Sequence, residues 1–494
     1  MKITIDHFVR IKISEISVDV LSQLKDRFEY DNPKYLENNK YGYSNYGVDK
    51  YLYSFKEDSN SGVISFSRGC LKYILRQLAT RGIKYTLVDK TLVCKEVTFD
   101  YSDTKVRPEQ QEFIDALIKS KQGLGIAYTS FGKTYSCLGA MKQLKQPTLV
   151  CVHTEFLQKQ WIQEAHKLFG IPMEDIGGVG GVFSDNPSVR KFNVCLYHSL
   201  SKPSYLKLFR NKIGLLIQDE VQKAAIEAVQ DCVNYFPARY RWGVSANHKR
   251  KDKKEFLVED AFGEIVFKAE EKNSDSKILS SLYLVPTNYY DFEYEQNKNY
   301  SGLITRMSQD KERNVLILRR CLRKLEQGRQ VMILVERKEQ ACLLTHALRK
   351  RGIKTALLIG KVDKKQIKGF QSNSAKKIAV EYDDKKSYDF VKKHAEKKEI
   401  DVVIGTQKAE VGLSVRTLNH IITTTPMGSN IGDRLNQIIG RVERTHGKDL
   451  EKKFGKKDRP TVDILVDDRF KSFGRHKKAI KDAYGDRCFI VKRK

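Results

Sequence analysis

Three short stretches carry the side chains best suited to chemistry on a phosphate: AYTSFGKT (127–134), LLIQDEVQ (215–222) and QIIGRVER (437–444). In the first, Gly132 lets backbone N–H groups face an anion at the start of a helix. Lys133 would reach the β- and γ-phosphates of a nucleotide, and the Thr134 hydroxyl would bind Mg²⁺. The stretch departs from the general phosphate loop G-x-x-x-x-G-K-[ST] at its first position, where Ala127 stands. In the second, an apolar strand ends in two adjacent acids, and burying unpaired charge is costly. Such a pair suits ATP hydrolysis, with Asp219 holding Mg²⁺ directly or through water and Glu220 positioning and deprotonating the attacking water. A structural alternative is a pair of acids favoured by a helix dipole. That alternative leaves unexplained why the pair follows a phosphate loop by one α/β subdomain. In the third, Arg441 and Arg444 stand three apart, which places them on one face of a helix. Planar guanidiniums there would neutralise charge developing on a γ-phosphate. Gln437 and Gly440 make the pattern narrower than two arginines alone.

These residues need rigid elements beneath them, and the hydrophobic pattern supplies candidates. From Lys105 onward apolar strands alternate with helices: GLGIAY, QPTLVCVHT, FNVCLY, IGLLIQ and YRWGVS. Between them EFLQKQWIQEAHKLF places Leu157, Trp161, Ala165 and Leu168 on one helical face. This alternation predicts a parallel sheet covered on both sides, with ligands at the carboxyl ends of its strands. A polar stretch at 269–277 is the linker candidate. The rhythm resumes with SLYLVP, VMILVE, TALLIG, DVVIGT, NHIITTT and TVDILV, a second α/β domain with a lysine-rich surface insertion at 363–398 and a basic tail from Arg469. Residues 1–104 differ. Ile3, Ile5, Val9, Ile11 and Ile13 give a strand period, and VDVLSQLKDRF and RGCLKYILRQLATRGI give helical ones. The expected fold is therefore α/β: a small α+β N-terminal domain (1–104), then α/β domains at 105–272 and 273–494.

Composition sets the partner class. The chain has 494 residues and a formal charge of +29, from 90 Lys+Arg against 61 Asp+Glu. An excess of this size suits a polyanion gripped through many phosphate contacts. The nine cysteines form no C-x-x-C pair, which argues against a zinc module or a disulfide framework. The alternating N-terminus is not a signal peptide, and no apolar run approaches the roughly 18–20 residues of a membrane span. The expectation is a soluble, cytoplasmic chain with no membrane partner.

The ordered motifs resemble those of superfamily 2 helicases, which carry two RecA-like domains. RPEQ (107–110) resembles the Q motif, AYTSFGKT motif I, DEVQ motif II and GVSAN (243–247) motif III. GTQKAEVGLSV (405–415) resembles motif V and QIIGRVER motif VI. The resemblance implies that ATP and Mg²⁺ bind between the two domains and that closure on ATP drives stepping along a strand. Residue by residue, it implies that Gln110 reads adenine and Arg107 stacks on the base. Thr129, Ser130, Phe131, Gly132, Lys133 and Thr134 would cradle the phosphates. Ser245 and Asn247 would couple hydrolysis to movement, Asn247 replacing the usual threonine, and Gln222 would hydrogen-bond across the cleft. Thr406 and Gly412 would meet nucleic acid and nucleotide, and Thr154 and His198 the nucleic-acid backbone.

Residues 1–104 are similar to the start of phage UvsW-type helicases, and Ser130 in motif I points the same way. That resemblance implies a duplex-holding N-terminal domain; the period-two spacing of Tyr51, Tyr53 and Phe55 reads as one face of a half-buried strand, which leaves Lys34, Lys40 and Lys50 as the expected DNA contacts. It implies action on forks and Holliday junctions in phage recombination, repair or replication, in the host cytoplasm and as a monomer, with recombination or replication proteins as partners. The rivals are an RNA or RNA–DNA hybrid helicase and an ATP-gated nucleic-acid binding module without translocation.

Overall fold

The computed structural model describes residues 1–98, 105–128, 131–223, 232–246, 252–269, 278–297, 299–382, 384–406, 415–425 and 431–491. The linker candidate lies almost wholly outside the described residues, as do Thr129, Ser130, Asn247 and Gly412. The chain divides into two compact units, Met1–Glu271 and Lys272–Lys494.

Within the first unit, the N-terminal residues build a five-stranded mixed sheet. Its order is Phe55–Asp58, Val63–Ser67, Phe8–Lys12, Lys2–Ile5, Thr86–Asp89, and the last pair alone is parallel. Ile3, Val9, Ile11, Ile64 and Phe66 alternate onto its covered face, against Leu24, Phe28, Ile74 and Leu78 from two helices. Tyr51, Tyr53 and Phe55 do not share one strand. Tyr51–Tyr53 pairs with Glu29–Asp31 in a separate ribbon, and the chain changes sheets at buried Ser54.

The same unit holds a seven-stranded, all-parallel sheet. Its order is Ile176–Gly177, Phe192–Leu196, Thr148–Val152, Leu215–Asp219, Tyr240–Ser245, Gln122–Ile126, Ile265–Lys268. Its inner strands are buried on both faces, which explains their unbroken apolar runs. The helix Glu155–Phe169 shows how local chemistry sets the boundaries. The Thr154 hydroxyl accepts from Leu157 N, Glu155 sits in the positive first turn, and Gly170 at φ +67° ends the last turn. Its buried face carries Leu157, Trp161, Ile162, Ala165 and Phe169, whereas Leu168 is exposed. The buried stripe ends on Phe169 in the last turn, with Leu168 at its solvent edge.

The second unit repeats the plan with seven parallel strands. Their order is Thr355–Leu358, Val402–Gly405, Val331–Leu334, His420–Thr423, Thr461–Val466, Ser281–Pro286, Cys488–Ile490. Residues 363–398 are not a surface insertion. Helices Lys364–Gly369, Asn373–Glu381 and Asp384–Ala395 form the crossover between two neighbouring strands, burying Ala375, Ile378, Val391 and Ala395. The basic tail is also structural: helix Lys471–Tyr484 buries Ile480, and Cys488–Ile490 adds the last strand of the sheet. All nine cysteines are free thiols. Among the described residues no helix is long and apolar enough to cross a membrane.

Candidate nucleotide-binding site

Three adjacent strands of the first unit, Leu215–Asp219, Tyr240–Ser245 and Gln122–Ile126, end side by side. Their carboxyl ends carry the acid pair, Ser245 and the phosphate loop, at the edge where parallel sheets take their ligands. Gly132 stands at φ +89° and opens the helix Lys133–Leu144. A Cβ there would enter the left-handed region and come within 2.5 Å of the Gln110 amide. The Lys133 amine donates to Ala127 O at 3.0 Å, folding back across the loop. Phe131 turns its ring into the core beside Phe113, Tyr128 and Phe267 and leaves its backbone at the site.

The Q-motif residues brace this loop. Gln110, only 5% exposed, donates from Nε2 to Phe131 O at 2.9 Å and accepts from Arg107 N at 3.1 Å. The Arg107 guanidinium donates to the same Phe131 carbonyl. Both residues therefore reach the phosphate loop from the start of the helix Pro108–Ser120. In the loop's present form, the Gln110 amide is engaged with backbone.

The acid pair is held in a strained turn. Asp219 is buried at the end of its strand, and Glu220 follows at φ +48°, in the left-handed region that costs a non-glycine residue about 1–2 kcal/mol. Asp219 Oδ1 accepts from Glu220 N at 2.8 Å and Oδ2 from Trp161 Nε1 at 2.8 Å. Burial, with the neighbouring Glu220 charge, pushes the Asp219 carboxyl up to about 6. Gln222 donates to Glu220 Oε2 at 2.6 Å and accepts from the Ser245 hydroxyl, while Ala127 N donates to Ser245 O at 3.0 Å. These bonds join motifs I, II and III within one unit. Trp161 is the functional candidate that sequence reasoning missed. Its place in an apolar helical stripe explains the ring, but nothing in the spacing announces the indole N–H aimed at Asp219.

In the second unit the helix Ile431–Val442 ends before Arg444. Arg441 lies in its last turn and Arg444 beyond it, so the two do not share a helical face. The segment between them is anchored. Buried Glu443 accepts from Ser280 N and Oγ, each at 2.8 Å, and from Arg487. Lys457 donates to Arg444 O at 2.9 Å and to Arg416 O at 2.8 Å. Burial lowers that amine to about 7. The Gln437 side chain lies outside the described residues. Thr406 directly follows the strand Val402–Gly405 and donates its N–H to Leu358 O at 3.3 Å.

Apart from Thr406, the nucleic-acid candidates among the described residues are dispersed over the first unit. Thr154 is an N-cap whose hydroxyl is already accepting from Leu157 N, and His198 lies exposed on the short helix Tyr197–Leu200. Lys34, Lys40 and Lys50 are exposed on one excursion of the N-terminal module, Lys40 beside the Tyr41 ring and Lys50 beside that of Tyr51. A second structural feature also escaped the sequence reading. Arg68 and Arg241, both fully buried, tie that module to the parallel sheet. Arg68 donates to Gln122 Oε1 and Ala238 O, each at 2.6 Å, and Arg241 to Phe236 O at 2.9 Å and His7 O at 3.4 Å.

Residues 103–250 match the family model of the type III restriction enzyme res subunit, and residues 313–446 match the helicase conserved C-terminal domain. The chain is 27% identical over 323 residues to the probable helicase D10 of Escherichia phage T5, covering 63% of this chain and 66% of that protein. It is 29% identical over 201 residues to the DNA 3'-5' translocase XPB2 of Sulfurisphaera tokodaii, covering 40% and 43%. The matched segments thus span less than two thirds of the length of these relatives. The crystal structure of phage T4 UvsW aligns over 99% of both chains at 17% identity, with a TM-score of 0.42. Both family models thus match in order, the first around a phosphate loop and an acid pair at adjoining strand ends, and the chain is similar in its two parallel-sheet units to the superfamily 2 helicases with their paired RecA-like domains.

Proposed function

We propose that the protein is a DNA translocase that unwinds or branch-migrates forked and Holliday-type DNA. The observation that carries this reading is the joining of the N-terminal module to the ATP-binding sheet by buried guanidiniums, within a chain of net charge +29. A module bound this firmly to the motor moves with it, so DNA held there is displaced relative to the strand being tracked. The DNA translocase named among its relatives supports DNA as the substrate. The phage helicase among them supports a role in phage recombination, repair or replication, in the host cytoplasm. The domains would be 1–104, 105–272 and 273–494, acting as a monomer.

The site fits ATP with Mg²⁺. Asp219 is a buried carboxyl beside a second acid, with each oxygen accepting one hydrogen bond and keeping a further lone pair. Asp219 and Thr134 would hold the ion, which offsets negative charge on the phosphates during transfer. Lys133 exchanges its contact with Ala127 O for the phosphates. Glu220 orients the attacking water and takes its proton. Gln222, which donates to Glu220 and accepts from Ser245, registers whether Glu220 is engaged. Arg107 and Gln110 connect the adenine to the loop through Phe131 O, with Gly412 adding to the nucleotide contacts. From the second unit, Gln437, Arg441 and Arg444 are assigned to the γ-phosphate. Thr154, His198, Asn247, Thr406, Lys34, Lys40 and Lys50 are assigned to nucleic acid.

The test is a panel of fork, four-way junction, RNA–DNA hybrid, RNA duplex and plain duplex, each followed with ATP. The proposal expects ATP-dependent conversion of the fork and the junction, at least tenfold faster than of plain duplex or RNA. Conversion of hybrid or RNA alone would replace it with the RNA reading. Binding without conversion of any substrate would replace it with an ATP-gated binding module.

A further inference from the structure

The helix Pro33–Tyr41 and the turn after it form an excursion with an unusual surface. The helix has no fully buried side chain. Yet Tyr41 is 58% exposed, Tyr43 67% and Tyr46 98%. Single exposed rings are ordinary, but here three lie within six residues and the module's own core uses none of them.

The rings stand on a fixed scaffold. Asn38 Nδ2 donates to Ser44 O at 3.1 Å, Tyr43 N to Asn38 O at 2.8 Å, and Asn45 Nδ2 to Asn39 Oδ1 at 2.6 Å. Asn32 closes the base of the excursion, donating to Asp49 O at 2.8 Å and capping the helix at Lys34 N. Gly42 and Gly47, at φ +68° and +70°, supply the two left-handed turns. The Tyr41 and Tyr43 rings are 6.1 Å apart and tilted 41°, too inclined to cover each other's faces. The adjoining ribbon is pinned to the helix Glu255–Phe262, which packs on the parallel sheet: Tyr30 stacks on Phe256 at 4.0 Å and donates to Asp260 at 2.8 Å.

We infer that Tyr41, Tyr43 and Tyr46 form a stacking platform for unpaired bases, with Lys34, Lys40 and Lys50 beside it for the adjoining phosphates. The inference deepens the proposed function and rests on the nucleic-acid reading. The local chemistry favours bases over backbone alone. The excursion carries Glu37 and Asp49 beside its three lysines, so its net charge is small, whereas a duplex-backbone grip is built mainly of cations. Aromatic faces accept any base, and tyrosine keeps its hydroxyl in water while its ring stacks. At a fork, such a platform holds the bases that strand separation has just released. Its attachment to the motor sheet makes that hold move with each step.

The test compares the full-length protein with the Y41A/Y43A/Y46A and Y41F/Y43F/Y46F variants. Affinity is measured by fluorescence anisotropy for single-stranded DNA, a fork with unpaired arms and a blunt duplex, at several salt concentrations. The inference expects the alanine variant to bind single strands and forks about tenfold or more weakly. It expects blunt-duplex affinity and the salt slope to stay within about twofold, and the phenylalanine variant to match the parent. An unchanged thermal midpoint establishes that the alanine variant is folded. Equal binding by parent and alanine variant, or an equal loss on blunt duplex, overturns the inference. So does a change in oligomeric state, which would make the patch a protein interface. Failure of the underlying nucleic-acid reading would look different: no DNA would stimulate ATP hydrolysis by the parent protein.

Discussion

At the scale of single residues, the acid pair depends on groups that no motif names. Trp161 is the clearest. Its indole N–H satisfies one oxygen of a buried carboxyl, and hydrogen bonding to the charged form favours ionisation. Trp161→Phe keeps the ring in the core and deletes the donor. We expect kcat for ATP hydrolysis to fall about 5–30-fold, in line with the ~1–2 kcal/mol of a lost charge-assisted bond. Steady-state kinetics over a range of Mg²⁺ concentrations checks this, and an unaltered kcat contradicts it. Glu220 adds a second lesson. Its left-handed backbone is invisible in the string DEVQ, because φ is set by the turn that must lift the acid off the strand end. The meeting of Lys133, Asp219 and Glu220 at the carboxyl edge of one parallel sheet was legible from residue type and spacing. Their supports were not, since those come from strands and helices distant in sequence.

At the scale of elements, the alternation of apolar runs located the strands, because a parallel sheet buried on both faces writes an unbroken hydrophobic run for each. Helix ends and crossovers were harder to read. Arg441 and Arg444 appeared as one helical face because a three-residue spacing says nothing about where the helix stops. The lysines of 363–398 looked like an insertion because their exposed faces dominate the composition, while a few buried positions fix the packing. The ribbon carrying Tyr30 offers an element-scale prediction. Burial pushes Asp260 up to about 6. The folded protein therefore keeps a proton that the unfolded chain releases near the ordinary carboxyl range of about 4. Stability from this group is fully present below that range and is lost as pH rises through about 6. Asp260→Asn keeps an acceptor for the Tyr30 hydroxyl without the charge. It should abolish this part of the pH dependence and be at least as stable as the parent at pH 8. Thermal melts of both proteins between pH 5 and 8 check this, and identical profiles contradict it.

At the scale of the whole molecule, the first unit behaves as one body in which two sheets share buried guanidiniums. Two sequence patterns, α+β and then α/β, suggested a separable N-terminal domain. Arg68 and Arg241 bridge them with hydrogen bonds to backbone carbonyls, a form of contact with no sequence signature. Arg68→Ala would strand several buried acceptors. It should destabilise the first unit by about 3 kcal/mol and leave the transition of the second unit in place. Calorimetry distinguishes the two, and a variant melting like the parent contradicts the bridge. For the same reason, point variants in the excursion at 33–50 probe DNA binding more cleanly than truncation, which would uncover Arg241.

The central claim is that Lys133, Asp219 and Glu220 hydrolyse ATP in response to nucleic acid. The most direct measurement is DNA-stimulated ATP turnover by Glu220→Gln beside the parent, with ATP binding followed in parallel. The amide keeps the size of the side chain and removes the base. The account predicts that turnover falls at least 100-fold, the scale of general-base removal, while ATP still binds within a few-fold of the parent. Turnover by Glu220→Gln near the parent rate would contradict it.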